Sequence, residues 1–233
     1  PSRAPSGAAR VILEIGAGTG LATRDLLARN PRKMVVVEPD TQMAEFLGTQ
    51  VGRAENLTIQ NCAFEDADLP AASFDLATAA ASFHWLEPVS ALAKITMALK
   101  PCGTLALWWN VYRAKNIGDE FADALAPLLE GMALPPSEGA GTHHSLDVDK
   151  YRNLLDEGGF ARVEHLILRR ERTLDAANMR ALYESYSFVR LLPEPERLGL
   201  LDGIADLVET RFCGNAPNII LTPLYVAMKG NAD

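Results

Sequence analysis

The sequence predicts an α/β protein built on a doubly wound, mostly parallel, seven-stranded sheet with helical insertions late in the chain. Three observations predict it. Short β-branched apolar runs alternate with helix-length stretches from residue 10 to 110, the first run ends in a glycine cluster, and after Asn110 helical stretches displace the alternation.

Residues 10 to 15, Arg-Val-Ile-Leu-Glu-Ile, read as a buried parallel strand. The helix that follows carries Leu21, Leu26 and Leu27 on one face and stops at Asn30-Pro31. Lys33 to Val37 is a second strand, Pro39-Asp40 a turn, and Thr41 to Gln50 a helix, which completes a β-α-β unit. Strands at 57 to 60, 74 to 80 and 104 to 109, with a helix at 89 to 99, continue it. Helical stretches at 117 to 131 and 147 to 157 flank a loop at Pro135 to Gly141, and Gly158-Gly159 closes the second of them. A strand at 163 to 170, helices at 175 to 190 and 194 to 212, and a last strand at 219 to 228 finish the chain. One domain spanning 1–233 is expected, with a core at 10–110 and insertions at 111–160 and 175–213 forming a substrate lid.

Composition narrows the function. With 48% hydrophobic and 22% charged residues the chain is that of a folded globular protein. A net charge of −8 repels a phosphate backbone, and the one basic cluster, Arg169, Arg170 and Arg172, is interrupted by Glu171, so no nucleic-acid partner is expected. Cys62, Cys102 and Cys213 lack C-x-x-C spacing, which argues against a metal knuckle or disulfide framework and for a cytoplasmic location. No apolar run reaches the roughly 18 residues that span a bilayer, and the start lacks a signal-peptide layout, so neither membrane insertion nor secretion is expected. The chain starts at Pro1 rather than methionine, so further residues are expected upstream. Nothing in the sequence fixes an oligomeric state.

Gly16, Gly18 and Gly20 stand where the first strand hands over to a helix, the place where missing side chains let a ligand approach backbone N–H groups. In an open α/β sheet the ligand crevice lies at the carboxyl ends of the strands. Glu38 closes the second strand, where a carboxylate accepts both hydroxyls of a ribose. The spacing is G-x-G-x-G, and Leu21 occupies the position at which a dinucleotide fingerprint has its third glycine, so a pyrophosphate ligand is disfavoured.

Glu14 to Gly20, Glu38-Pro39-Asp40, Ala63 to Pro70 and Ser73-Phe-Asp75 resemble successive motifs of the class I S-adenosylmethionine-dependent methyltransferases. Phe83-His84-Trp85 and Leu99-Lys-Pro-Cys-Gly103 are similar to the small-molecule subgroup that includes trans-aconitate methyltransferase and the type 11 enzymes. The resemblance implies a Rossmann-like fold, S-adenosylmethionine as cofactor and S-adenosylhomocysteine as product. It also implies that Glu14, Gly16, Ala17, Gly18 and Gly20 surround the cofactor, that Glu38 binds its ribose, and that Pro39 or Met43 flanks the adenine. Ala63, Phe64 and Glu65 would meet the adenine edge, and a carbonyl at Ala79 or Ala80 would accept from the ammonium. Where the family has glycine, this chain has Cys102, and the N-terminal helix that covers the active site in relatives is expected to be absent here.

Methyl transfer from a sulfonium is an in-line displacement and needs no covalent protein nucleophile. A carboxylate acceptor needs no base, whereas an alcohol or phenol benefits from one. His84 is the candidate for acceptor contact, set against simple packing of His84 and Trp85 over the sheet. Trp85 and Tyr112 are candidate acceptor-lining residues. Alternation sends Trp108 and Trp109 to opposite faces, with Trp109 expected in the lining. Tyr183, Tyr186 and Arg190 share a face of one expected helix, a stripe that serves packing or, through Tyr186 and Arg190, acceptor binding. His143-His144 has no partner at ligand spacing, and no metal site is expected. Two other functions use the same physics: a nicotinamide-dependent oxidoreductase and a non-catalytic cofactor-binding module.

Overall fold

The computed structural model describes residues 10–52, 54–114, 117–132 and 143–230. Every residue of β1 (Val11–Ile15) is buried, as a central strand covered on both faces must be. β1 runs parallel to β2 (Lys33–Val37) on one side, with β3 (Leu57–Gln60) beyond, and to β4 (Phe74–Ala80) on the other, with β5 (Leu99–Trp108) beyond. α1 (Leu21–Leu27), α2 (Thr41–Val51) and α3 (Pro88–Ala98) lie along the chain between these strands. The sheet order is β3-β2-β1-β4-β5-β8-β6. Chain direction across the sheet reverses between β1 and β4, the switch point beside which open α/β sheets hold ligands.

Two sets of side chains cover the sheet. Leu13, Ile15, Val35 and Val37 share one cluster with Leu92 and Ile95 of α3. Ile12, Met34 and Val36, one residue out of step, pack with Leu47 of α2 and with Leu26 and Leu27 of α1. At the amino end of the sheet Asp75 ties three strands together: its Oδ2 accepts from the Val11 N–H at 2.7 Å, and its Oδ1 pairs with Lys100 Nζ at 2.7 Å. Burial alone would raise its pKa; Lys100, the Val11 N–H and the charge of Arg32 outweigh that and hold it below the ordinary value.

β6 (Val111–Tyr112), a two-residue strand absent from the sequence reading, is the eighth strand among the described residues. α4 (Glu120–Leu125) and a 3-10 turn at Ala126–Leu129 fill the first expected helical stretch, and α5 (Val148–Glu157) the second. The loop expected at Pro135–Gly141 lies outside the described residues. His143 accepts the Ser145 N–H at Nδ1 and so caps a 3-10 turn. β7 (Phe160–Asp175) pairs with β8 (Asn215–Lys229), which runs antiparallel to β5. Between them lie α6 (Ala176–Glu184), α7 (Ser187–Arg190) and α8 (Glu194–Arg211). The single helix expected over 175–190 breaks at Ser185, whose hydroxyl donates to the Leu182 carbonyl at 2.6 Å and competes with helix continuation.

The chain divides into two compact units. The first comprises Pro1–Trp109, Val148–Leu166 and Leu224–Asp233; the second comprises Asn110–Asp147 and Ile167–Pro223. α5 was grouped by sequence with the insertions. Its Tyr151 and Leu155 instead belong to the core of the first unit, together with Trp109, Phe160 and Tyr225. The second unit has its own core, in which Phe121 and Leu125 of α4 pack with Met179 and Tyr183 of α6 and Leu201 and Ile204 of α8.

Candidate functional site

The three glycines after β1 have different jobs. All have positive φ, of 67°, 55° and 82°. A methyl group on Gly16 would overlap Ser82 Cβ, and one on Gly20 would overlap Leu47 Cδ1, so these two are glycines because neighbouring side chains fill the space. A methyl group on Gly18 would meet only Met43 Sδ, at 4.0 Å. Gly18 alone therefore leaves open room beside its backbone.

That room adjoins a buried carboxylate. Glu38, 4% exposed, accepts the Gly18 N–H at Oε2 (2.7 Å) and the Asp40 N–H at Oε1 (3.0 Å). A carboxylate offers about four acceptor positions, so these bonds leave one on each oxygen. Asn61, just past β3, fixes the strand end: its Nδ2 donates to the carbonyls of Glu38 (2.8 Å) and Pro39 (3.2 Å), and its Oδ1 accepts from Thr41 Oγ1. Asp40 caps α2 by accepting the Met43 N–H at 2.9 Å, which sets Met43 in place with its side chain exposed. Pro39 is also exposed, and Ala17 half-buried.

Glu14 is a carboxyl inside the central strand, with no exposed surface. Thr23 Oγ1 donates to its Oε2 at 2.6 Å, while its buried Oε1 has no hydrogen-bond partner. Burial pushes its pKa up, the Thr23 bond opposes this, and the nearby Glu38 charge adds to it, for a value of about 7.

At the end of β4, Ala79 is buried opposite Leu107, and Ala80 half-buried opposite Trp108. Ala81 takes a left-handed φ of 55°, and Ser82 Oγ donates to the Ile15 carbonyl. The Phe83–Trp85 3-10 turn follows, anchored by buried Phe83. Trp85 is 81% exposed, so the packing role set against function belongs to Phe83. His84 is exposed at the surface, yet partial desolvation lowers its pKa. Its Nδ1 accepts the Trp109 indole N–H at 3.1 Å.

Several expected positions change character. Trp109 is buried among Tyr151 and Tyr225, with ring centroids 4.9 and 6.3 Å away, and Trp108 is half-buried. Alternation was right that one tryptophan is core, but the core one is Trp109. In the adenine-edge turn, Ala63 is half-buried and Phe64 turns its ring into the core, beneath Lys94 Nζ at 5.4 Å; only Glu65 stays exposed. In the second unit, Tyr112 and Tyr186 pack at 5.8 Å and Tyr186 and Tyr183 at 5.1 Å, while Arg190 is exposed on α7. The break before α7 means Tyr183 and Arg190 do not share one helix. Asn61 and Ser82 were missed; the available signal was a polar residue just past a strand's carboxyl end.

The open room at Gly18, the two remaining acceptor positions of Glu38 and the unpartnered Glu14 Oε1 suit a cationic ligand with a vicinal diol. A family model described as a methyltransferase domain matches residues 13–107, the stretch that carries these groups. Residues 13–107 are a class I methyltransferase domain. The chain is 27% identical over 187 residues to a methyltransferase-like protein of Schizosaccharomyces pombe, covering 80% of this chain and 68% of that one. It is 33% identical over 149 residues to a methyltransferase of Mycobacterium tuberculosis, covering 62% and 60%. Among solved structures, phosphoethanolamine N-methyltransferase 2 of Haemonchus contortus, in complex with phosphomonomethylethanolamine and S-adenosylhomocysteine, superposes with a TM-score of 0.57. That likeness, at 15% identity over 97% of this chain and 50% of the other, is one of fold. S-adenosylmethionine is the methyl donor of this class, and the oxidoreductase alternative gives way to it. Among the described residues no helix is long and apolar enough to cross a membrane.

Proposed function

We propose that this methyltransferase binds S-adenosylmethionine along Gly16–Gly18 and Glu38 and methylates an oxygen, carboxylate or hydroxyl, of a small-molecule acceptor. When bound, the cofactor supplies an electrophilic methyl group on a sulfonium. Glu38 accepts the ribose diol on the oxygen positions its two backbone bonds leave open. Gly18 gives the nucleoside access to the backbone, Pro39 and Met43 flank the adenine, and the Ala63–Glu65 turn meets its edge through backbone groups. The Ala79 or Ala80 carbonyl takes the ammonium, and Glu14, with Ala17 and Gly20 around it, adds negative charge beneath. His84 and Trp85 contact the acceptor.

The observation that carries this reading is Glu38, buried and bonded to the N–H of Gly18, the glycine of the Gly16–Gly20 turn whose missing side chain leaves room. A net charge of −8 supports a small acceptor over a phosphate backbone, and three cysteines outside any disulfide suit a cytoplasmic setting. The insertions after Asn110 are the segments we assign to acceptor choice, through Tyr112, Tyr186 and Arg190; Arg190→Lys separates a guanidinium fork from a simple charge. Calorimetry with S-adenosylmethionine tests the core of the proposal. Glu38→Ala is expected to weaken binding about 100-fold, two bonds to a charged group being worth about 3 kcal/mol together. Absence of binding by the unsubstituted chain, or equal affinity in the variant, rejects it.

A further inference from the structure

Trp109 heads the fully buried side chains by size, yet its one polar atom is spent on an exposed histidine. An indole nitrogen is a donor and never an acceptor. Its partner, His84 Nδ1 at 3.1 Å, must therefore present a lone pair, and in a neutral imidazole the proton then resides on Nε2. We infer that Trp109 is a positioning residue that holds His84 as its Nε2–H tautomer, making His84 a hydrogen-bond donor toward the methyl acceptor and not the base that activates it.

The polarity is the reverse of a histidine general base. There a carboxylate accepts from Nδ1–H and leaves the Nε2 lone pair to take a proton. Here, for Nε2 to become a base, the ring proton would have to move to Nδ1, where it would face the Trp109 N–H donor to donor. Protonating the ring does the same, and partial desolvation opposes it as well. Tyr151 and Tyr225 enclose the indole, with centroids 4.9 and 6.3 Å away, so its N–H cannot simply be swung aside in a packed interior. An acceptor served by His84 therefore arrives with its lone pair already available.

This inference rests on the proposed acceptor contact of His84, but its test does not use the reaction. In 15N-labelled, ligand-free full chain at a pH where His84 is neutral, long-range 1H–15N spectra are expected to show Nδ1 at the shift of an unprotonated ring nitrogen and Nε2 at that of a protonated one. A scalar coupling between Trp109 Nε1 and His84 Nδ1 across the hydrogen bond is expected alongside. Trp109→Phe keeps an aromatic ring against Tyr151 and Tyr225; it is expected to lose the coupling and admit an Nδ1–H population. A protonated Nδ1 in the unsubstituted chain, or an unchanged tautomer ratio in the variant, overturns the inference. The unsubstituted chain decides by itself if the variant does not fold. Failure of cofactor binding in calorimetry rejects methyl transfer without touching the tautomer, and a reversed tautomer rejects this inference without touching methyl transfer.

Discussion

Replacing Glu14 by glutamine should move the stability of the ligand-free protein, relative to the unsubstituted chain, in the variant's favour by about 3 kcal/mol between pH 4.5 and pH 8. The carboxyl is wholly buried, one of its oxygens lacks a partner, and its pKa stands at about 7 against an ordinary 4.5. A pKa raised by folding means that the folded state binds the proton more tightly than the unfolded chain. The stability this group contributes is whole below pH 4.5 and falls away as the pH climbs through about 7. From 4.5 to about 7, at about 1.4 kcal/mol for each tenfold change in proton affinity, the loss comes to about 3 kcal/mol. Glutamine can still accept from Thr23 Oγ1 and stays neutral throughout, so it escapes that loss; its amide buries two unmet N–H donors against the one O–H of the protonated acid, a cost of about 1 to 3 kcal/mol that is the same at every pH and so drops out of the change between pH values. Urea denaturation of both proteins at pH 4.5, 6 and 8 gives the difference directly, because titrations elsewhere cancel. A difference that is flat from pH 4.5 to 8 would refute the reasoning and mean that water or rearrangement relieves the buried charge.

Other substitutions separate packing from binding. Gly20→Ala drives a methyl group into Leu47 and should cost about 2 kcal/mol or more, read as a lower Tm. Gly18→Ala meets no such wall, so it should cost about 1 kcal/mol of left-handed strain while weakening S-adenosylmethionine binding in calorimetry. Asp75→Asn should cost about 1 kcal/mol near neutral pH, a modest figure because the pair with Lys100 is about a third exposed. That contribution is present above the ordinary carboxyl pKa of 3.8 and disappears as the pH falls below the depressed folded value, so acid titrations of the two proteins should converge. Cys102 sits at φ 59°, where the family turn has glycine; Cys102→Gly should raise stability by about 1 kcal/mol in thermal melts.

The central strands were legible because buried runs bounded by turn residues leave little freedom: β2, β3 and β4 coincide with the segments expected at 33 to 37, 57 to 60 and 74 to 80. β7 was read as half its length, since most of its residues are exposed and the alternation that marks a half-buried strand is absent. Glu14 and Glu38 were picked out as acids at suggestive places. Their states were not legible, because burial, the Thr23 bond and the influence of one acid on the other are properties of packing. The choice between Trp108 and Trp109 failed for a similar reason: alternation separates neighbours but does not say which face receives α5, and α5 is what buries Trp109 through Tyr151. His84 was found by position, whereas the nitrogen that carries its proton depends on Trp109, 25 residues away in the chain.

Ser82 is wedged against Gly16, and its hydroxyl is tied to the Ile15 carbonyl, two residues ahead of His84. The loop that would seat the methyl donor and the loop that carries His84 thus share a single rivet, on adjacent strands locked in register from Ile12 to Glu14. Such a mount behaves as a machinist's fixture: errors in placing one part are carried over to the other, so their spacing stays constant when both shift together. Retuning the enzyme for a new acceptor is then a matter of changing the tools bolted to the fixture, and a bulkier residue at position 16 would spoil every acceptor alike.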